Sequence, residues 1–289
     1  MAARCVVRMS AFVSLAVFAM GFRAPPAVRV HTFPFVDSSR SIVLQNGARV
    51  PRPLRTIVWY PTGAGRHPLV VFAHGFALSP RTYSRLLDAW ADAGYVVAAP
   101  IFPLTNSAAP GGPNESDLIN QPRDVSIVIS RLLASSAAAH GVLAGKIDPA
   151  RIAVTGQSDG GVTALAVAYD QRFRDGRIRA AIVMAGARLG GMGAFPLHGP
   201  PLLAMQGTAD TVNAPATTET YFGLAARPKF LVWLVGAGHL PPYTTESPQL
   251  AVVERVTLAF LGHYLLGHPL ETFLATARKP GITRLVLAP

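Results

Sequence analysis

The sequence predicts an α/β fold in which a doubly wound, mostly parallel sheet carries helices on both faces, with no large cap domain. Residues 69–73 (LVVFA) form a continuous apolar run, which is typical of a strand buried on both faces of a parallel sheet. Similar runs alternate along the chain with segments of helical periodicity. Half of the 289 residues are hydrophobic and 14% are charged, so the chain can bury a large core. This composition excludes a disordered protein.

The predicted strands begin with an antiparallel pair. Residues 41–45 and 54–60 are β segments joined by a turn at Asn46 and Gly47. The remaining predicted strands are apolar runs at residues 69–73, 95–99, 151–155, 178–185, 201–205 and 230–235. The tail from Lys279 onward is expected to form either an edge strand or a loose segment.

Four helices separate these strands. Ser79 and Pro80 open the first, because proline favours the first position of a helix. A loop at residues 100–121, with four prolines, precedes the second helix, which starts at Pro122. The other two helices are predicted at residues 160–169 and 254–266.

The charge of the chain is strongly basic but not patterned for nucleic acid. There are 26 Lys and Arg against 15 Asp and Glu, which gives a net charge of +11. Only three of the basic residues are lysines, and the arginines are scattered without a basic block or a known nucleic-acid module. We therefore expect a solvated basic surface and no nucleic-acid partner. The single cysteine, Cys5, excludes an intramolecular disulfide and cysteine-ligated zinc.

The first 24 residues have the pattern of an export signal. Arg4 and Arg8 form a basic start, residues 11–20 are an uncharged apolar run, and the small residues Ala19, Gly21 and Ala24 are candidate cleavage positions. The apolar run is too short for a comfortable membrane span. We expect residues 1–24 to be a signal peptide, with an uncleaved anchor or a merely apolar N-terminus as alternatives, and residues 25–289 to be one domain. The protein is then secreted, periplasmic or associated with the cell envelope.

Residues 156–160 (GQSDG) match the pattern G-x-S-x-G, which by itself is a weak signal. Its placement between a predicted strand and a predicted helix strengthens it considerably. A sharp strand-to-helix turn lifts the serine hydroxyl clear of the sheet, and the helix N-terminus stabilises a developing oxyanion. The sequence therefore predicts Ser158 as a nucleophile.

A serine nucleophile needs a base and an acid, which follow it along the chain in the order acid, then histidine. His239 comes directly after the strand predicted at 230–235, and Asp210 comes after the strand at 201–205. We predict His239 as the base and Asp210 as the acid that orients it. The alternatives that remain are His198, His263 and His268 for the base and Asp170 and Asp175 for the acid.

Two backbone amides are expected to form the oxyanion hole, those of Phe76 and Asp159. Phe76 lies in the loop after the strand at 69–73, and Asp159 directly follows the nucleophile. His74 is expected to brace its loop by a hydrogen bond, without taking part in catalysis. The side chain of Asp159 is expected to be structural.

The segments 69–76, 156–161, 207–210 and 236–239 together resemble the α/β-hydrolase superfamily. Within it, the HGF loop, the SDGG elbow and the lack of a large cap insertion are similar to dienelactone hydrolases, chlorophyllases and platelet-activating-factor acetylhydrolases. The resemblance implies a Ser-His-Asp acyl-enzyme mechanism and no cofactor. Secreted polyester hydrolases are related, but they carry an aromatic residue and a methionine where Gln157 and Asp159 stand here, so plastic degradation is not implied.

We therefore expect a lipase-like or esterase-like serine hydrolase that cleaves carboxylic esters with short to medium acyl chains and binds no metal. Candidates for the lining of its pocket are Phe76, Tyr83, Phe102 and the loops at residues 100–121 and 190–201. The expected partner is a small-molecule or lipid ester, with peripheral contact to a membrane or cell envelope. Three alternatives remain: an acyltransferase to a cell-envelope or lipid acceptor, a peptidase, and a non-catalytic binding protein on the same fold. The peptidase is less favoured, since nothing in the sequence marks an amide-specific pocket.

Overall fold

A computed structural model describes residues 27–288, and within them nine strands form one sheet flanked by six α-helices. The strands are β1 (Val28–Val43), β2 (Arg49–Pro61), β3 (His67–Ala73), β4 (Val96–Pro100), β5 (Ile147–Gln157), β6 (Ile178–Met184), β7 (Leu202–Gly207), β8 (Lys229–Leu234) and β9 (Thr283–Ala288). The helices are α1 (Ser84–Asp92), α2 (Gln121–Ala137), α3 (Asp159–Tyr169), α4 (Pro215–Leu224), α5 (Gln249–Leu266) and α6 (Leu270–Ala277).

The strand order across the sheet is β1-β2-β4-β3-β5-β6-β7-β8-β9. Strands β4, β3, β5, β6, β7 and β8 are parallel, while β1, β2 and β9 are antiparallel to their neighbours. The order reverses between β3 and β5, because the chain first moves from β3 to β4 and then returns to the other side. At such a switch point the loops after the two strands diverge and leave a crevice at their carboxyl ends.

The helices cover both faces of the sheet. Buried side chains of α2, α3 and α4 pack on one face, and those of α1, α5 and α6 pack on the other. Every residue of α3 is buried, which explains why its sequence is apolar and small on all sides. The fold class predicted from the sequence is thus confirmed, including the absence of a large cap between residues 27 and 288.

The elements differ from their predicted bounds in identifiable ways. The helix predicted from Ser79 begins as a 3-10 turn at Pro80–Tyr83 before α1 starts. The tail forms an edge strand, β9, rather than a loose segment. Helices α4 and α6 were not predicted, because α4 buries only three residues of mixed polarity and α6 spans only eight residues.

A buried ionic network fastens the β1–β2 hairpin to the rest of the domain. Arg52 on β2 is 2% exposed and donates to the carboxylates of Asp117 and Asp124 over 2.6–3.0 Å. Arg40 adds a contact of 2.5 Å to Asp124. Since a buried charge is tolerated only when it is paired, the network fixes the hairpin against the start of α2. The loop before α2, which borders the crevice, is fixed with it.

The predicted signal at residues 1–24 lies outside the described residues. Between residues 27 and 288, no helix combines the length and the hydropathy that a membrane crossing needs.

Candidate active site

Ser158 occupies the sharp turn between β5 and α3. Its backbone has φ 56° and ψ −123°, a strained conformation for a residue with a side chain. The turn closes only because its neighbours are glycines: a Cβ on Gly160 would lie 1.9 Å from the Ala73 carbonyl oxygen, and one on Gly156 would lie 2.1 Å from the Gly160 oxygen. The glycines of the motif therefore allow the strand and the helix to pack closely, and this packing positions the serine.

Ser158, His239 and Asp210 form a continuous hydrogen-bonded chain. The Ser158 Oγ lies 2.9 Å from His239 Nε2, and the Asp210 Oδ2 lies 2.8 Å from His239 Nδ1. Since the carboxylate only accepts hydrogen bonds, Nδ1 carries the proton and Nε2 is left to accept from the serine hydroxyl. The three residues predicted from the sequence therefore meet at the carboxyl ends of β5, β7 and β8.

The Asp210 carboxylate is held from several directions. Its Oδ1 accepts from the backbone amides of Val212 and Asn213 at 2.9 and 3.0 Å, and its Oδ2 also accepts from Gln206 Nε2 at 2.9 Å. The Asp210 side chain is buried, while that of His239 is 16% exposed. These bonds fix the direction in which the carboxylate faces the imidazole.

Of the alternative histidines and aspartates, the side chains of His263, Asp170 and Asp175 are paired elsewhere. His263 Nδ1 bonds the carbonyl of His268 at the end of α5, and the carbonyl of His198 accepts from Arg174. Asp170 pairs with Arg172, and Asp175 pairs with Arg177, just beyond the far end of α3. The structure brings none of these five into hydrogen-bond contact with Ser158.

The two backbone amides predicted for the oxyanion hole have no acceptor within the described residues. Within residues 27–288, neither the Phe76 amide nor the Asp159 amide donates a hydrogen bond. The loop carrying Phe76 is held by the next amide, because Ala77 donates to the Thr105 carbonyl at 2.8 Å and has a φ of 53°. Both predicted oxyanion donors are thus without an acceptor among residues 27–288.

A buried polar link that sequence reasoning missed joins the two loops around the serine. The Tyr83 hydroxyl donates to Gln157 Oε1 at 2.7 Å and accepts from the Gly75 amide at 3.3 Å. Gln157 Nε2 donates to the His239 carbonyl at 3.0 Å. Burial raises the pKa of the Tyr83 phenol above its ordinary value, so the hydroxyl stays a donor. The link therefore connects the Phe76 loop with the His239 loop.

Two of the three aromatic residues predicted for the pocket, Tyr83 and Phe102, are too buried to line an open site. Tyr83 is 1% exposed, and Phe102 is fully buried against the His74 ring. An apolar pocket of about 460 Å³ lies between the β1–β2 hairpin and the loop after β4, so the predicted loop at residues 100–121 does line a cavity. Among residues 27–288, no cluster of three or more His, Cys, Asp or Glu side chains is placed to hold a metal ion.

His74 braces its loop, as the sequence analysis predicted. Its Nδ1 donates to the Gly75 carbonyl at 2.8 Å, and its Nε2 accepts from the Phe102 amide at 3.2 Å. Both ring nitrogens of the neutral imidazole thus have a hydrogen-bond partner. A second proton, on Nε2, would point at the N–H group of Phe102 and break that hydrogen bond. Burial lowers the pKa of His74 to about 4.

This histidine is expected to destabilise the protein in mild acid. The unfolded chain binds a proton at His74 below its ordinary pKa of 6.5, whereas the folded protein binds it only near pH 4. Stability is therefore lost as the pH falls from 6.5 to 4, by about 3 kcal/mol. Urea unfolding of wild type and His74→Gln at pH 7 and pH 4 measures this: the gap between them should shrink by that amount. His140→Gln, at an exposed histidine, is the control, and a gap independent of pH would contradict the assignment.

This geometry defines a class of proteins. A sheet of this order, with a serine elbow after β5, an acid after β7 and a histidine after β8, is the α/β-hydrolase fold. A family model for chlorophyllase matches residues 14–218, and the chain belongs to the chlorophyllase family, which consists of α/β-hydrolase-type esterases. The match includes Phe76, Ser158 and Asp210 and ends before His239.

Two curated relatives agree with this assignment. Chlorophyllase-1 of Arabidopsis thaliana is 32% identical over 144 residues, which is 50% of this chain and 41% of the relative. The chloroplastic chlorophyllase-1 of Citrus sinensis is 28% identical over 140 residues, 48% of this chain and 40% of the relative. The matched region thus spans about two fifths of each relative.

Proposed function

We propose that this protein is a serine esterase that cleaves carboxylic esters through an acyl-enzyme, with Ser158 as nucleophile, His239 as base and Asp210 as the acid. The observation that carries the proposal is the unbroken chain of hydrogen bonds from Ser158 Oγ through the imidazole to Asp210 Oδ2, at 2.9 and 2.8 Å. Membership of an esterase family supports it at the level of the reaction class.

In the first half of the reaction, His239 Nε2 takes the proton of Ser158 as Oγ attacks the ester carbonyl. The imidazolium that results is stabilised by the buried Asp210 carboxylate. The negative charge that develops on the carbonyl oxygen is bound by the Phe76 and Asp159 amides. Each such donor contributes about 2.7–4 kcal/mol of transition-state stabilisation in enzymes of this type.

In the second half, the alcohol leaves with the proton held by His239, and the acyl group remains on Ser158. A water molecule then gives a proton to the same imidazole and attacks the acyl carbonyl. Release of the acid restores the starting state. Ser158 thus needs no group beyond His239 and Asp210 to exchange its proton.

For the substrate, we propose esters with short to medium acyl chains. The helices and strands between residues 27 and 288 leave no long cap to enclose a chain above Ser158, which supports an open site. The relatives named as chlorophyllases suggest chlorophyll as a further ester to test.

Hydrolysis of p-nitrophenyl esters from acetate to palmitate tests the proposal. We expect turnover to be highest for acetate to octanoate and to decline toward palmitate, and we expect a fluorophosphonate to label Ser158 in the intact enzyme. Chlorophyll and an added alcohol acceptor extend the panel, and ester formation in place of acid release would identify a transferase. A marked preference for palmitate over butyrate would contradict the short-chain assignment, and no turnover of any ester would contradict the function.

A further inference from the structure

A buried side-chain amide that the mechanism does not use lies directly beside the proposed base. Gln157 precedes Ser158 and is fully buried. Its Nε2 lies 3.0 Å from the carbonyl oxygen of His239 and 3.4 Å from the ring Nε2 of the same residue, the atom that exchanges the proton. The end of the amide that faces the imidazole therefore decides whether this ring nitrogen meets N–H donors or a carbonyl oxygen.

The hydrogen bonds of Tyr83 fix which end of the amide this is. The Tyr83 hydroxyl accepts from the Gly75 amide at 3.3 Å, so its own proton is left to donate, and Gln157 Oε1 receives it at 2.7 Å. At the other end, the His239 carbonyl can only accept, and the Gln157 nitrogen donates to it. A reversed amide would bring its oxygen against the His239 carbonyl and leave the proton of the buried Tyr83 hydroxyl without an acceptor.

This orientation matters once His239 carries the proton taken from Ser158. The proton on Nε2 then faces the N–H groups of Gln157, which cannot accept it, so the oxygen of the leaving alcohol is its acceptor. With the amide reversed, Gln157 Oε1 would instead accept a charge-assisted hydrogen bond from the imidazolium. Such a bond would hold the proton on His239 and away from the leaving group.

We propose that Tyr83 is a positioning residue: it keeps the nitrogen of Gln157 toward His239, and the His239 proton is thereby directed to the leaving alcohol. The inference rests on the proposed function, because it concerns proton delivery in the same reaction. The proton passes from Ser158 Oγ to His239 Nε2, and then to the alcohol oxygen as the bond between that oxygen and the carbonyl carbon breaks. Tyr83 and Gln157 keep all of their protons throughout.

Two butyrate esters with different leaving groups test this role. Their kcat/KM values report acylation, in which p-nitrophenol leaves as a stable anion, whereas ethanol must be protonated as it leaves. Without the Tyr83 hydroxyl, only the His239 carbonyl opposes reversal of the amide. We expect Tyr83→Phe to lower kcat/KM for ethyl butyrate at least ~10-fold and to leave that for p-nitrophenyl butyrate within about 3-fold of wild type. Tyr95→Phe, at a buried tyrosine just before β4 and at the opposite end of the sheet, is the control that should leave both values unchanged.

A second substitution separates this role from a merely structural one. Gln157→Met keeps a side chain of similar length but has no oxygen to accept the proton. Added to Tyr83→Phe, it should return the ratio of the two kcat/KM values to within about 3-fold of the wild-type ratio, whatever the absolute rates. Equal losses on both esters, or a selective loss that persists with Gln157→Met, would overturn the proposal. If Tyr83→Phe does not fold, Gln157→Glu replaces it, because a carboxylate oxygen at this position should produce the same selective loss, and an unchanged ratio would contradict the proposal.

The side-chain amide of Gln157 is also observed directly by NMR of the isotope-labelled full chain, with its signals assigned by their loss in Gln157→Met. We expect Tyr83→Phe to shift both amide proton signals and Tyr95→Phe to leave them in place. Unchanged signals in Tyr83→Phe would overturn the fixed orientation even in a protein without turnover. Turnover by wild type with an unchanged ester ratio in Tyr83→Phe would refute the positioning role alone, whereas no turnover of either ester by wild type would refute the esterase.

Discussion

Replacing Ser158 by alanine is expected to lower kcat for ester hydrolysis by about 10⁴- to 10⁶-fold, the loss typical of a serine nucleophile. The variant keeps His239 and Asp210 in place but has no oxygen to form the acyl-enzyme. The strained turn at residue 158 persists, because the flanking glycines and not the hydroxyl set its shape. The thermal unfolding midpoint should therefore stay within a few degrees of wild type.

Steady-state kinetics on p-nitrophenyl butyrate measures this loss. Ser135→Ala is the matched control, since its hydroxyl bonds a carbonyl on the exposed side of α2. Activity of Ser158→Ala close to that of wild type would show that a different group attacks the ester.

Replacing Asp210 by asparagine is expected to lower kcat by about 10⁴-fold while the fold is retained. An asparagine amide directed at His239 Nδ1 favours the tautomer with its proton on Nε2. That proton then faces Ser158 Oγ, so the imidazole no longer accepts the serine proton. The effect exceeds the loss of one hydrogen bond because it inverts the direction of the whole chain of bonds.

The Asp210→Asn variant is measured with the same ester, together with its unfolding midpoint. Asp175→Asn, at an acid paired with Arg177 beyond the far end of α3, is the control for the loss of a carboxylate. Since Ser158 and Asp210 act through one imidazole, the double variant should be no slower than Ser158→Ala alone. Multiplicative losses would indicate that the two residues act independently.

Much of this fold is predictable because its central strands are continuous apolar runs. Residues 69–73 of β3 and residues 152–155 of β5 are all buried, so no alternation of buried and exposed positions obscures these strands. The helix α4 was missed for the opposite reason. The buried residues of α4 are Thr218, Tyr221 and Phe222. These three residues form no apolar periodicity in the sequence, because their burial comes from packing on strands that are distant along the chain.

The site divides in the same way. Ser158, Asp210 and His239 were selected by their positions after strands, and the order of parallel strands then brings them to one edge. The bond between Tyr83 and Gln157 joins residues 74 positions apart and has no local signature, so no local pattern predicts it. The bracing role of His74 is confirmed, whereas export directed by residues 1–24 stays a prediction.

The Tyr83–Gln157 link also constrains how this site can diverge. Gln157 stands where the related polyester hydrolases carry an aromatic ring. Here its side-chain amide accepts a hydrogen bond from the Tyr83 hydroxyl and donates one to the His239 carbonyl. A ring at position 157 would leave the Tyr83 hydroxyl without its acceptor and would remove the Gln157 donor from the His239 carbonyl. Positions 83 and 157 are therefore coupled, so that a substitution at one is tolerated only with a substitution at the other. Introducing a plastic-degrading site into this fold requires both residues to be exchanged together.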